Sequence, residues 1–394
     1  MARASRAIAE GFRVSGRPLD PAVSAAVDAV ANAIGAFLAI VLGGSHARGA
    51  GIRRTVGGES LALSDVDLHV VVADRAARNA AEARIAACRS TLVPALRQLG
   101  LVGPLEVGVH TAAEWASLPA RPATLELATA GRVVRGDAAW LERLPRWTPR
   151  DVSAEEILLL LENRAYELIR AARDGDDDGV AGLAAAHAQY KTALDLAAVE
   201  RLAAGALESE ARALVAAARA GRAARAEIAP EPAWDHALAW REGATFDPAT
   251  RRADLDAITE CWWLRWSERA APGVDAARFE STARRAASRA RLRRRLRMAL
   301  RPELAAAPPL ARRLEFALAG TPQHRLNASA GAFLAAGVLA RRAPAETAAL
   351  EARLARLLAS LGAVAPGDRA AVADRLLDAW NRQVLGATRG GAVA

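Results

Sequence analysis

Gly43-Gly44-Ser45-His46-Ala47-Arg48-Gly49, a short insert, and then Ser64-Asp65-Val66-Asp67-Leu68 form the stretch on which the reading of the whole chain turns. Leu38, Ile40, Val41 and Leu42 lead in and Val70, Val71 and Val72 follow, two apolar runs short enough to be buried strands. A strand that runs into Gly-Gly-Ser and then a helical turn presents backbone N–H groups, and the glycines let a phosphate come close to them. Asp65 and Asp67 alternate on the next predicted strand, so both carboxylates leave one face, roughly 7 Å apart along the backbone. Such a pair beside a phosphate cradle suits a hard, hydrated divalent cation. A third acid, Glu106, stands in Pro104-Leu105-Glu106-Val107-Gly108-Val109, which reads as another short strand.

The chain has 394 residues, enough for two or three domains with a sizeable core. Its 52% apolar content is inflated by alanine and its aromatic content is only 4%; an alanine-rich composition with few β-branched residues beyond the first 135 positions predicts mostly helix there. The formal charge of +9 reads first as the alanine–arginine bias of a GC-rich bacterial genome, and only second as affinity for nucleic acid. A single lysine, Lys191, stands among 53 basic residues. It marks either a place that needs a compact ammonium or an accident of composition. Cys88 and Cys261 read as reduced packing residues of a cytoplasmic protein, and no membrane span or signal-peptide core is expected.

Along the chain, Asp20-Pro21 opens a helix with Val23, Val27, Val30 and Ile34 on one face. Gly57-Gly58 reads as a hairpin tip. A helix is expected from Arg75 to Leu99, a capping box at Thr111–Glu114, a strand over 131–137, and a second capping box at Ser153–Glu156. That second box opens a helix that Gly175-Asp176-Asp177-Asp178-Gly179 breaks, and further helices are expected from about 180 to 204 and from about 206 to 220. Ala220 to Pro232 reads as a linker. Beyond it, Trp234, Trp240, Trp262, Trp263 and Trp266 read as core, or alternatively as an aromatic wall for a sugar or base. A basic helix is expected over 284–301, a Pro-rich break over 302–309, a helix from Pro344, and a Gly-containing tail over 387–394.

The Gly-Gly-Ser turn, Asp65-x-Asp67 and the later Glu106 together resemble the nucleotidyltransferase superfamily typified by DNA polymerase beta. Val134 to Asp137 followed by Leu144-Pro145 agrees with the end of that family's catalytic domain. Asn163-Arg164 with Tyr190-Lys191 is similar to the helical domain that closes over the nucleotide in bacterial members, including aminoglycoside-nucleotidyltransferase-like enzymes. The resemblance implies an α+β fold: a small mixed-sheet nucleotidyltransferase domain over 1–150, a helical nucleotide-closing domain over 151–229, and a further helical domain over 230–394. It also implies transfer of NMP from NTP to an acceptor hydroxyl. Asp65, Asp67 and Glu106 would hold two Mg2+ ions and act in catalysis. Gly43, Gly44, Ser45, Arg48 and Lys191 would hold the phosphates, while His46 is either a phosphate contact or structural. Two departures stand out, the insert between the glycines and Asp65, and Glu where many members carry Asp. The acceptor would be a small molecule or sugar, with RNA as the other class. An antitoxin-like protein adenylyltransferase and a non-catalytic nucleotide sensor are the alternative readings.

Overall fold

In chain order the elements are α1 (Pro21–Ile34), β1 (Ala39–Leu42), α2 (Gly44–Ala47), β2 (Arg53–Val56), β3 (Glu59–Ala62), β4 (Val66–Val72), α3 (Arg75–Gln98), β5 (Leu105–Thr111), α4 (Ala112–Trp115), α5 (Pro122–Ala130) and β6 (Arg132–Gly136). The helices α6 (Ala154–Asp174), α7 (Val180–Ala203), α8 (Ala211–Arg222), α9 (Glu231–Arg241), α10 (Pro248–Ala270) and α11 (Arg369–Trp380) follow. This computed structural model describes residues 18–222, 230–270, single positions between 330 and 337, and 369–380. The expected basic helix at 284–301, the break at 302–309, the helix from Pro344 and the tail lie outside the described residues, as does most of the 220–232 linker.

The fold is α+β. Its main sheet has the order β5-β4-β1-β6, with β1 antiparallel to both neighbours and β5 parallel to β4. Strict alternation along β4 decides what each face carries. Val66, Leu68, Val70 and Val72 are buried against Val23, Val27, Val30 and Ile34 of α1 and Ile85 and Leu96 of α3. Asp67, His69 and Val71 occupy the other face. There Val71 joins Ala39, Val41, Val133 and the indoles of Trp115 and Trp140 in a smaller core. That face is therefore apolar toward one end of β4 and polar toward the other.

The helix starts follow local chemistry. Asp20 accepts from the Ala22 N–H at 2.9 Å, capping α1. The Thr111–Glu114 capping box is complete, with Thr111 N–H donating to Glu114 at 2.9 Å and Glu114 N–H to Thr111 at 3.1 Å. At α6 only half of the expected box forms. Ser153 accepts from Glu156 N–H at 3.3 Å, but the Glu156 carboxylate pairs with Arg121 at 3.2 Å. A full guanidinium charge nearby outcompetes a backbone donor for that carboxylate. The helix expected from about 206 starts at Ala211.

The insert forms a separate ribbon, β2 with β3, and joins the parallel edge only through a bridge from Ala62 to Leu101. Gly57 and Gly58 take φ of 57° and 87°, the left-handed pair that a two-residue hairpin of matching twist requires. Ile52, Leu61 and Leu63 carry this ribbon into the helical core, where Leu161, Leu168, Tyr190 and Leu196 pack with residues of α9, α10 and α11. Trp234, Trp240, Trp262 and Trp266 are 0–3% exposed in that core, so they are packing residues and not an aromatic wall. Their bulk fills space that alanine-rich helices leave. The Trp234 indole donates to Ala193 O at 2.8 Å and the Trp262 indole to Leu161 O at 2.7 Å, which satisfies the polar end of each ring. Among the described residues no helix is long and apolar enough to cross a membrane.

Trp234→Ala is predicted to destabilise the protein by about 3–5 kcal/mol, and Trp234→Phe by clearly less, because the first leaves a cavity and the second mainly removes a hydrogen bond. Denaturant unfolding followed by far-UV circular dichroism measures both.

Candidate active site

The loop after β1 is shaped by what it touches. Gly43 N–H donates to Asp67 O at 2.8 Å, which extends the β1–β4 ladder by one rung. That donor is spent inside the sheet, so it does not join the expected phosphate cradle. Gly44 takes φ of 64°, and a Cβ there would stand 2.5 Å from Asp67 Oδ2. Only glycine fits between this backbone and the carboxylate. The single turn of α2 then closes on itself, with Ala50 N–H donating to Ser45 O at 2.8 Å. His46 is 8% exposed and its Nε2 lies 3.2 Å from Ser64 O. A Cβ on Gly51 would meet its Nδ1 at 2.4 Å. His46 is thus a structural pin under the loop, and burial pushes its pKa down. Ser45 is half-buried, while Arg48 pairs with Glu126 of α5.

The three acids are held differently. Asp67 and Glu106 are direct register partners on the parallel pair β4–β5. Their side chains leave the same face of adjacent strands, about 5 Å apart at the backbone. Glu106 is exposed and Asp67 half-buried. Asp65, just ahead of β4, is ion-paired with Lys191 of α7. Burial works against the charge on Asp65, but the Lys191 ammonium, with His187 and Arg164 nearby, outweighs it and holds the carboxyl well below the usual range. Burial likewise works against the Lys191 charge, and the Asp65 carboxylate more than offsets this, so its pKa is raised. Arg164 is in turn braced on Asp195 at 2.5 Å.

Among the described residues no group of three or more His, Cys, Asp or Glu stands together closely enough to hold a metal ion. Carboxylates are the donor type a hard cation takes; Asp67 and Glu106 are register partners on one face, while the Asp65 carboxylate is held by Lys191.

Two histidines missed in the sequence complete this face. His69 sits two residues past Asp67 and opposite Gly108. Its Nδ1 lies 3.2 Å from His110 Nε2, with the rings stacked at 5.4 Å and Trp115 across both. Burial, then the neighbouring imidazole, pushes His69 down to about 3, and burial lowers His110 as well, so both rings are neutral near pH 7. His69 Nε2 would be 3.6 Å from a Cβ on Gly43, which places it beside the loop. The strict alternation Asp67-x-His69 was the available signal.

A cavity of about 30 Å3 lies between the start of β4 and the helices α6 and α7, lined by Asp65, Gly103, Glu167, Arg170, His187 and Lys191 among others. It has room for a water or two. His187 is 9% exposed, its Nδ1 has no hydrogen-bond partner, and burial followed by Lys191 pushes it to about 4. A larger cavity of about 610 Å3, lined by Arg150, Val152, Ile157, Leu202 and Glu268 among others, contains none of the expected site residues.

Lys191→Met is predicted to destabilise the protein by about 1–3 kcal/mol near neutral pH, since it strands a carboxylate that is largely out of water. The sign of the pH dependence follows from the two shifts. The lowered Asp65 contributes stability above about pH 4, the ordinary carboxylate value, and loses it only as pH falls further. The raised Lys191 contributes fully below about pH 10 and loses it as pH rises past its folded value. Urea unfolding should therefore give a wild-type loss on the acid side that Lys191→Met lacks. Comparison of the chain with protein-family models finds no match, and comparison with curated proteins finds none.

Proposed function

We propose that the protein transfers a nucleoside monophosphate from an NTP to an acceptor hydroxyl and releases pyrophosphate, with Mg2+ as the cofactor. The observation that carries this reading is the pairing of Asp67 with Glu106 on one sheet face, with Gly44 so close to the Asp67 carboxylate that a side chain there would collide with it. The resemblance to the DNA polymerase beta superfamily supports it through the same residues.

In this reading Asp65, Asp67 and Glu106 would hold the ions. Bound there, divalent ions neutralise charge on the triphosphate and lower the pKa of an attacking oxygen. The remaining chemistry belongs to the chain. Ser45 and the Gly44 backbone would seat the phosphates against Arg48. The acceptor oxygen attacks the α-phosphorus, and the bond from that phosphorus to the pyrophosphate oxygen breaks. Glu106, exposed beside Asp67, is placed to accept the acceptor's proton. Lys191 would exchange its Asp65 contact for a phosphate oxygen. The acceptor we favour is a small molecule or sugar.

A second reading, a nucleotide sensor without turnover, is favoured by one observation: Asp65 is committed to Lys191. Turnover separates the two. Asp67→Ala and Asp65→Ala should each lower pyrophosphate release from NTP and Mg2+, with cell extract as the source of acceptor, by at least about 10²-fold, the usual scale for losing one preorganised electrostatic group. Release unchanged in both variants contradicts the enzyme reading. Thermal stabilisation by NTP without any release of pyrophosphate favours the sensor.

A further inference from the structure

The helix α9 is fastened to the catalytic unit at adjacent residues. Arg54 of the ribbon stacks over the Trp240 ring at 4.4 Å and donates to the Trp240 carbonyl. The next residue, Arg241, reaches the loop that follows α2, donating from Nη2 to Ala50 O at 3.3 Å. Ala50 is itself tied to Ser45, so Arg241 sits over the closing turn of the Gly43–Gly44–Ser45 loop.

Arg241 is half-buried, yet among the described residues no carboxylate stands at ion-pair distance from it. One long contact to a carbonyl uses little of a guanidinium with five N–H donors. Arg48 is paired with Glu126, and its charge is disfavoured first by burial and then by Arg241; burial also disfavours the Arg241 charge, with Glu210 and Asp195 favouring both. A fold that brings two guanidiniums from distant parts of the chain to one loop, Arg48 two residues before the Ala50 carbonyl that Arg241 reaches, builds a concentrated positive site for an anion. The planar fork matches phosphate oxygens bidentately, which commits the ligand to a phosphate rather than a halide or a lone carboxylate.

We propose that Arg241 and Arg48 form a clamp for the outer phosphates of a nucleoside triphosphate, one arm from the helical unit and one from the catalytic unit. The polyphosphate chemistry stands on the two guanidiniums and not on the single turn of α2. The nucleoside part rests on the nucleotidyl-transfer reading above. The clamp gives the segment after residue 230 a part in substrate binding.

The test uses the full chain and isothermal calorimetry with inorganic tripolyphosphate, ATP and AMP. Wild type should bind tripolyphosphate and ATP, and Arg241→Gln should lose about tenfold in affinity for both, the scale of one charge-assisted contact, with AMP unchanged. Arg241→Lys keeps the charge without the fork and should fall between them. It serves as the decisive variant if Arg241→Gln fails to give a wild-type far-UV spectrum. Equal tripolyphosphate affinity in wild type and the variants overturns the clamp, as does an equal loss across all three ligands. Arg241-dependent binding of tripolyphosphate with no binding of ATP, GTP, CTP or UTP upholds the polyphosphate clamp and removes the nucleotidyl-transfer reading. ATP binding that ignores Arg241 does the reverse.

Discussion

The ion pair between Asp65 and Lys191 joins the sheet to the helices that follow it. The Asp65 carboxylate comes from the mouth of the sheet, and the ammonium from Lys191, the only lysine in the chain. Neither charge could be left alone there, because both are largely out of water, and an unpaired charge in that position would neutralise rather than persist. The pair therefore ties α7 to the chain just ahead of β4. It also decides the state of the acidic face, since the lysine holds one of its three acids. Arg164, Asp195, Glu167 and His187 surround it, so the pair is one link in a charged layer between sheet and helices.

Around that link the chain uses local rules economically. The alternation of β4 sends four aliphatic side chains to the helix-covered face and leaves Asp67 and His69 on the other. The parallel register with β5 then brings Glu106 beside Asp67 without any special loop. Gly44 lies against the Asp67 carboxylate because a side chain there would collide with it. The tryptophans hold the helical core together, and the ribbon of β2 and β3 hooks that core to the sheet through Arg54 and Trp240. Acids, loop and helices thus meet at one junction although they come from separate stretches of sequence.

What could be read in advance was what depends on neighbours in the chain. The start of α1 at Asp20-Pro21, the turn at Gly57-Gly58, the Thr111 cap and the strand carrying Asp67 all follow from residues within a turn or two. The importance of Lys191 was legible because it is alone, but its partner was not, since Asp65 lies 126 residues away. The His69–His110 stack joins positions 41 residues apart on neighbouring strands, and no spacing along the chain encodes that. Glu156 looked like half of a capping box until Arg121 took it. Gly43 looked like a phosphate donor until the sheet claimed its N–H. In each miss a long-range partner displaced a local one. Arg241 was hidden for the same reason, its contact to Ala50 spanning 191 residues.

A chain with one lysine offers an unusually direct measurement. Protein grown on [13Cε]lysine should give a single ammonium-side resonance in a carbon–proton correlation spectrum, and Asp65→Asn should shift it if the ion pair exists in solution. The account predicts that adding NTP with Mg2+ moves this resonance away from its starting position, as Lys191 leaves Asp65 for a phosphate, and that replacing Mg2+ with Mn2+ broadens it. A lysine resonance that neither moves with nucleotide nor broadens with Mn2+ would contradict the claim that these acids, this loop and this lysine form one nucleotide site.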